Sequence, residues 1–161
     1  MKEITLVRHA KSSWEYEVND KDRPLQERGI NDAYMVANYL KGNFKAPDVV
    51  FSSPAIRALH TCIIVTGQLG IAPSKIHIEK RLYDFEGTSV INFIKQLGES
   101  YKKVMIFGHN HAFTSISNIF GNKSINNVPT AGVVQLRFDV GEWKLVDKGT
   151  TELIIFPKQL K

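Results

Sequence analysis

An arginine and a histidine stand side by side at Arg8-His9, directly after an apolar run that contains Ile4, Leu6 and Val7. A short apolar run bounded by charge predicts a buried strand. The C-terminal end of a strand in an open α/β sheet is where ligand sites gather. An imidazole with one ring nitrogen free is a nucleophile, and a guanidinium stays charged at any working pH. Together they suit attack on a phosphoryl group. A lone Arg-His pair is better explained as a polar strand end, so the reading depends on partners elsewhere in the chain. Two positions supply them. Arg57 falls in the first turns of a helix that follows Ser52-Ser53-Pro54, and His109 follows Gly108 at the end of an apolar stretch. A phosphoryl group in transfer spreads charge over three equatorial oxygens and needs several fixed cations. Two arginines and a second histidine meet that need. The like charges of Arg8 and Arg57 should depress the pKa of His9 and keep its nitrogen free.

The elements that must position these residues are legible from periodicity. Residues 11–23 are polar and aperiodic and predict a loop over the site. Pro24 and Leu25 open a helix with Ile30, Ala33, Ala37 and Leu40 on one face, stopped by Gly42. Residues 48–51 predict a second strand. Ser52-Ser53-Pro54 predicts a turn with serine as helix N-cap, and that helix buries Leu59, Ile63 and Thr66 before ending at Gly70. Residues 75–79 predict a third strand. Thr88 or Ser89 then caps a helix whose inner face is Val90, Ile91, Ile94 and Leu97. Residues 103–107 are almost purely apolar, as expected of a central parallel strand. A helix follows with Phe113, Ile116, Ile119 and Phe120 inward. Residues 133–138 and 143–146 flank a predicted hairpin turn, and residues 151–156 predict a further strand. The pattern predicts an α/β fold of three layers, a mostly parallel sheet with helices on both faces and an antiparallel edge. In such a sheet the three chemistry-bearing junctions lie along one edge.

Composition narrows the function. The chain has 161 residues, a formal charge of +5, 43% apolar and 23% charged residues, which fits one soluble domain over residues 1–161. The lysines are scattered (Lys41, Lys45, Lys75, Lys80 and Lys95 among them), with no dense basic run and no interleaved aromatics, so no nucleic-acid partner is expected. No apolar run approaches membrane-spanning length and no leader pattern precedes the first strand, which points to the cytoplasm with no membrane partner. The single cysteine, Cys62, rules out an internal disulfide and reads as a small buried apolar residue. His109-x-His111 lacks further ligands nearby in sequence, so no metal and no cofactor are expected. His60 and His77 read as structural or exposed. Asp20-Lys21-Asp22 has the look of an aspartate-phosphatase start, but it follows a polar stretch instead of an apolar strand. No Gly-x-x-x-x-Gly-Lys loop exists.

Leu6-Val7-Arg8-His9-Ala10-Lys11-Ser12 resembles the signature of the histidine phosphatase superfamily, which includes phosphoglycerate mutases and acid phosphatases. Ser53 to Thr61 resembles its second arginine motif, and Gly108-His109-Asn110 its second histidine. Within the superfamily, the Arg-His-Ala-Lys-Ser-Ser-Trp run, Asp22-Arg23-Pro24-Leu25, Arg28-Gly29 and Pro129-Thr130 are most similar to the phosphohistidine phosphatase branch known as SixA. The resemblance implies a phosphoglycerate mutase-like fold. It implies a phosphatase in which His9 is the phosphorylated nucleophile, Arg8, Arg57 and His109 hold the phosphoryl group, and Ser12 lies among the phosphate ligands. The substrate would be a phosphorylated protein, with phosphohistidine the first choice, or a small phosphorylated molecule, and the chain would act as a monomer. A binding module without turnover is the alternative on the same scaffold.

Two departures from the family pattern bear on substrate. The mutase-type motif continues Gly-Glu-Ser-x-x-Asn, where this chain has Ala10, Lys11, Ser12 and Glu15. The acid phosphatases carry an acidic proton donor just after the second histidine, where this chain has Asn110 and His111. Mutase-like members place a Glu in a Leu-x-Glu context after the third strand. Leu82-Tyr83-Asp84 matches that spacing and makes Asp84 the expected proton donor, with Glu86 and Asp22 behind it. Trp14, on the loop over the site, would contact substrate or anchor the loop.

Overall fold

The structure, a computed structural model, describes all of residues 1–161. One six-stranded sheet organises it. The strands are β1 (Lys2–Arg8), β2 (Val49–Ser52), β3 (Ile76–Ile78), β4 (Lys103–Gly108), β5 (Val133–Phe138) and β6 (Thr150–Ile155). They lie in the order β3-β2-β4-β1-β5-β6. The first four are mutually parallel, while β5 runs antiparallel to β1 and β6 antiparallel to β5. The expected parallel sheet with an antiparallel edge is therefore present.

Four helices cover the two faces: α1 (Glu27–Asn43), α2 (Ile56–Leu69), α3 (Thr88–Lys95) and α4 (Ala112–Phe120). The side-chain period of two in a strand sends alternate residues to opposite faces. In β1 and β4, Ile4, Leu6, Val104 and Ile106 pack with Val90, Phe93 and Ile94 of α3 and Phe113, Ile116 and Phe120 of α4. Val7, Met105 and Phe107 pack on the other side with Ala33, Val36, Ala37 and Leu40 of α1 and Cys62 and Val65 of α2. Apolar residues on both faces are what a strand buried between two helical layers requires. No helix is long and apolar enough to cross a membrane.

Several boundaries differ from the expectations, each for an identifiable reason. Pro24 and Leu25 do not open α1. Ser12 bridges Leu25, Ser13 N–H donates to the Pro24 carbonyl and Gln26 N–H to that of Lys11, so this stretch stays extended and pins the loop. Gly29, in the first turn of α1, lies against the Lys11 backbone so closely that a Cβ would collide with its carbonyl. Gly42 does not stop α1, which continues to Asn43, whose side chain donates back to the Tyr39 carbonyl. Gly70 does end α2, in the left-handed conformation (φ 71°) that glycine adopts without strain. The inner face of α2 is Ala58, Thr61, Cys62 and Val65, and Ile63 is exposed. The helix is turned so that Arg57 points to the site. Ile119 of α4 is likewise exposed. Residues 143–146 are no hairpin arm: Trp143 is fully buried and donates its indole N–H to the Tyr101 carbonyl, and β6 pairs with β5 instead.

Candidate active site

The strand edge carries the site. At the end of β1, the His9 N–H donates to the Gly108 carbonyl at the end of β4, and its own carbonyl accepts from Ala131 N–H. The backbone of the histidine is thus held from both sides. Its ring is fixed too. Nδ1 lies 2.7 Å from the Ala10 carbonyl. A carbonyl only accepts, so Nδ1 carries the proton and Nε2 keeps its lone pair. Burial pushes the His9 pKa down to about 3, opposed by the Ala10 hydrogen bond and helped by Arg57, Arg8 and Arg23. The expected depression is there, but burial outweighs the arginines. At neutral pH His9 is an uncharged imidazole with a free nitrogen.

Three other groups converge on it. Arg8 donates from one terminal nitrogen to the Val128 carbonyl at 2.9 Å. Arg57, almost wholly buried, comes from the first turn of α2. That turn is tied to the first junction: Ala10 N–H donates to the Thr61 hydroxyl at 2.9 Å, and the same hydroxyl donates to the Arg57 carbonyl at 2.7 Å. His109 follows β4, its ring 5.3 Å from that of His9. Gly108 before it serves close packing more than turning, since a Cβ there would meet the Phe113 ring at 2.7 Å.

Ala55, not a serine, takes the N-cap position of α2, and Ser53 serves the site instead. Its hydroxyl accepts from Ala55 N–H and lies 2.8 Å from His109 Nε2. Being fully buried, the hydroxyl hydrogen has only that nitrogen to go to. Nε2 therefore accepts, and the His109 proton sits on Nδ1. Burial, then His9, Arg57 and Arg8, lower the His109 pKa to about 3, against an upward pull from Asp20.

What remains is the chemistry of the site. Arg8 Nε, Arg57 Nε and His109 Nδ1 are all buried and have no hydrogen-bond partner in the chain. An unpaired buried donor costs about 1–3 kcal/mol. Unpartnered donors on Arg8, Arg57 and His109, grouped with one free imidazole nitrogen, are the kind of groups that stabilise a tetrahedral oxyanion.

Ser12 is buried beside the site, and its hydroxyl accepts from Arg23 at 2.6 Å. Asp84 has a different task from the one expected. Its Oδ1 accepts from Glu86 N–H, and its Oδ2 from the N–H groups of Gly87 and Val90. The carboxylate thus caps the start of α3, a role the sequence had given to Thr88 or Ser89, and it accepts from three backbone amides. It lines a surface depression with Arg81, Glu86 and Ser89 that includes none of the four central residues. Asp22 is exposed. No group of three or more His, Cys, Asp or Glu is placed to hold a metal ion.

Two residues at the site were missed from the sequence. Arg23 is buried, stacks on Trp14 at 3.6 Å and bonds both Ser12 and Asp20. Asp20, on a single 3-10 turn (Asp20–Asp22), pairs with Arg57 at 2.8 Å and accepts from the Tyr83 hydroxyl. Burial opposes this, but the hydrogen bonds from Tyr83, Arg57 and Arg23 hold Asp20 well below the usual carboxylate range. The Asp22-Arg23-Pro24-Leu25 match was the signal for Arg23, while Asp20 stood out only in the Asp20-Lys21-Asp22 run, which was set aside for following a polar stretch.

Comparison with known proteins bears on this arrangement. The family model of the histidine phosphatase superfamily (branch 1) matches residues 4–89. A protein of Mycobacterium tuberculosis named only as uncharacterized is 30% identical over 161 residues, covering 93% of this chain and 98% of that one. A 2,3-bisphosphoglycerate-dependent phosphoglycerate mutase of Beijerinckia indica is 37% identical over 70 residues, 42% of this chain and 34% of the mutase. Among solved structures, the protein histidine phosphatase SixA complexed with tungstate superposes with a TM-score of 0.83 over 99% of both chains, at 22% identity. That likeness is one of fold.

Proposed function

Because the chain belongs to the histidine phosphatase superfamily, we propose that it is a phosphatase that removes phosphoryl groups from histidine on a protein, through a phosphohistidine intermediate on His9. The observation that carries this is His9, with Nδ1 held by the Ala10 carbonyl and Nε2 free, grouped with residues that keep three buried donors without a partner in the chain. His9 Nε2 attacks phosphorus in line with the leaving nitrogen. Arg8 Nε, Arg57 Nε and His109 Nδ1 donate to the equatorial oxygens as charge develops there. The P–N bond to the substrate imidazole breaks as a new one forms to His9. A proton already on the substrate imidazole lets it leave neutral, so an easy leaving group needs little help from an enzyme acid. Water then attacks the phosphorus, and inorganic phosphate and free His9 are regenerated.

The protein-displayed substrate is supported by the shape of the surface. None of the five surface depressions is lined by Arg8, His9, Arg57 or His109. Small-molecule sites are concave and enclosing, whereas a phosphate standing out from another protein does not need walls. The engagement of Asp84 with three backbone amides agrees with this, since an alkyl ester would require a proton donor and a phosphoramidate much less so.

The test is incubation with phosphoramidate and with a phosphohistidine-bearing protein, followed by mass spectrometry of rapidly quenched samples. A phosphoryl adduct on His9, absent in His9→Ala together with turnover, is expected. Oxyanion binding without adduct or turnover would identify a binding module. Efficient action confined to small phosphosugars would refute the protein substrate.

A further inference from the structure

Arg57 is gripped from outside by a single loop residue. One terminal nitrogen donates to the Asp20 backbone carbonyl at 2.6 Å, and the other to the Asp20 carboxylate at 2.8 Å. Nε is the nitrogen left without a partner. The carboxylate is itself held from two more places. Arg23 Nε donates to its other oxygen at 3.2 Å, and the Tyr83 hydroxyl donates to the oxygen that meets Arg57. Tyr83 belongs to the segment before α3, and its ring stands edge-on to His109 at 5.3 Å. Asp20 thus joins α2, the loop after β1 and the segment before α3 across the top of the site.

We infer that Asp20 is a positioning residue for phosphoryl transfer. By engaging both terminal nitrogens of Arg57, it sets the plane of the guanidinium so that Nε–H faces the phosphoryl group at His9. This inference rests on the reading of His9 as the nucleophile. An arginine side chain has several soft torsions, and a guanidinium is useful to a transition state only when its donors are already aimed. The clamp removes that freedom before substrate arrives. It also adjusts charge: one carboxylate among Arg8, Arg23 and Arg57 leaves two net positive charges, which match a phosphoryl dianion. Arg23, stacked on Trp14, completes the clamp and ties it to the most exposed aromatic residue of the rim, at 74% exposure.

The rival account makes Asp20 an internal anion that competes with the phosphoryl group for Arg57. The two accounts predict opposite signs. In the full-length protein, Asp20→Ala and Asp20→Asn are compared with the parent for tungstate binding by calorimetry and for the saturating rate of His9 phosphorylation by phosphoramidate. The Arg57 Nε–H resonance is followed in ¹⁵N-labelled protein. Positioning predicts that Asp20→Ala slows phosphorylation on the order of tenfold to a hundredfold. Half-saturation by the donor should change little, tungstate binding should weaken, and the Arg57 Nε–H signal should shift or broaden. Asp20→Asn keeps an acceptor in the same place and recovers most of the rate. Tighter tungstate binding or an unchanged phosphorylation rate in Asp20→Ala overturns the inference. Failure of the parent itself to form phosphohistidine would instead overturn the reading of His9, while the Arg57 resonance still reports on the clamp.

Discussion

Arg57 performs two tasks with three nitrogens, and Arg57→Lys separates them. Nε–H is buried and unpartnered, while the two terminal nitrogens hold Asp20. A lysine has one compact ammonium and no planar fork. If it stays with Asp20, the site loses one donor to the transferring phosphoryl group. That loss is worth about 3 kcal/mol in the transition state, or on the order of a hundredfold in rate. Folding should barely respond, because positive charge is retained beside Asp20. The Asp20 side chain is 43% exposed, so its pairing contributes on the order of 0.5 kcal/mol. A large loss of rate with little loss of stability is therefore the expected signature. It is read by single-turnover phosphorylation of His9 alongside thermal unfolding of both proteins. A rate within threefold of the parent would show that Arg57 lies outside the transition-state contacts. A rate loss matched by a collapse in Tm would show that its role is structural.

Three further outcomes follow from the same geometry. Ser53→Ala leaves His109 Nε2 without the hydroxyl that fixes its tautomer, and one neutral hydrogen bond of about 1 kcal/mol corresponds to about a fivefold fall in kcat/KM; an unchanged rate would mean His109 needs no such support. Asp84→Asn weakens the cap of α3 and should cost about 1 kcal/mol, a Tm shift of about 2–4 °C, while phosphohistidine hydrolysis stays within twofold; a selective loss on alkyl phosphate esters would restore Asp84 as proton donor. His9 and His109 have pKa values lowered to about 3 in the fold from an ordinary 6.5, so between those values the unfolded chain binds more protons and stability rises with pH. Acidification from pH 6.5 toward 4 should thus cost up to about 1.4 kcal/mol per pH unit for each histidine. Denaturant unfolding across that range should show a shallower slope in His9→Asn, and an identical slope would refute the assignment.

The central residues were legible because their signals are local. Arg8 and His9 end an apolar strand, Arg57 follows a Ser-Pro turn, and His109 follows a glycine at the end of another strand. The architecture was legible for the same reason, since β1 and β4 carry apolar residues on both faces and the helices on one. What stayed hidden depends on side chains that meet across long separations. Asp20 and Arg57 are 37 positions apart, and Tyr83 is 63 from Asp20. No local pattern marks a clamp of that kind. The amide contacts of Asp84 stayed hidden because a carboxylate one residue past a Leu-x frame looks the same in sequence whether it faces a leaving group or three backbone amides. The rotation of α2 was missed because an exposed Ile63 and a buried Thr61 invert the usual preference, which the Thr61 hydrogen bonds to Ala10 and Arg57 explain.

The position of β1 inside the sheet has a consequence for motion. This strand is paired on both sides, to β4 and to β5, and the His9 amide is bonded to the end of β4. An amide so placed exchanges its hydrogen with solvent only when the whole sheet comes apart. Residues 19–22 lie exposed on one short turn, anchored by a few side chains, and their amides should exchange through small local openings many times faster. The catalytic centre therefore combines a static half and a breathing half. If His9 is the nucleophile, its alignment is held by the sheet, while exchange of dephosphorylated product for new substrate falls to the turn above it.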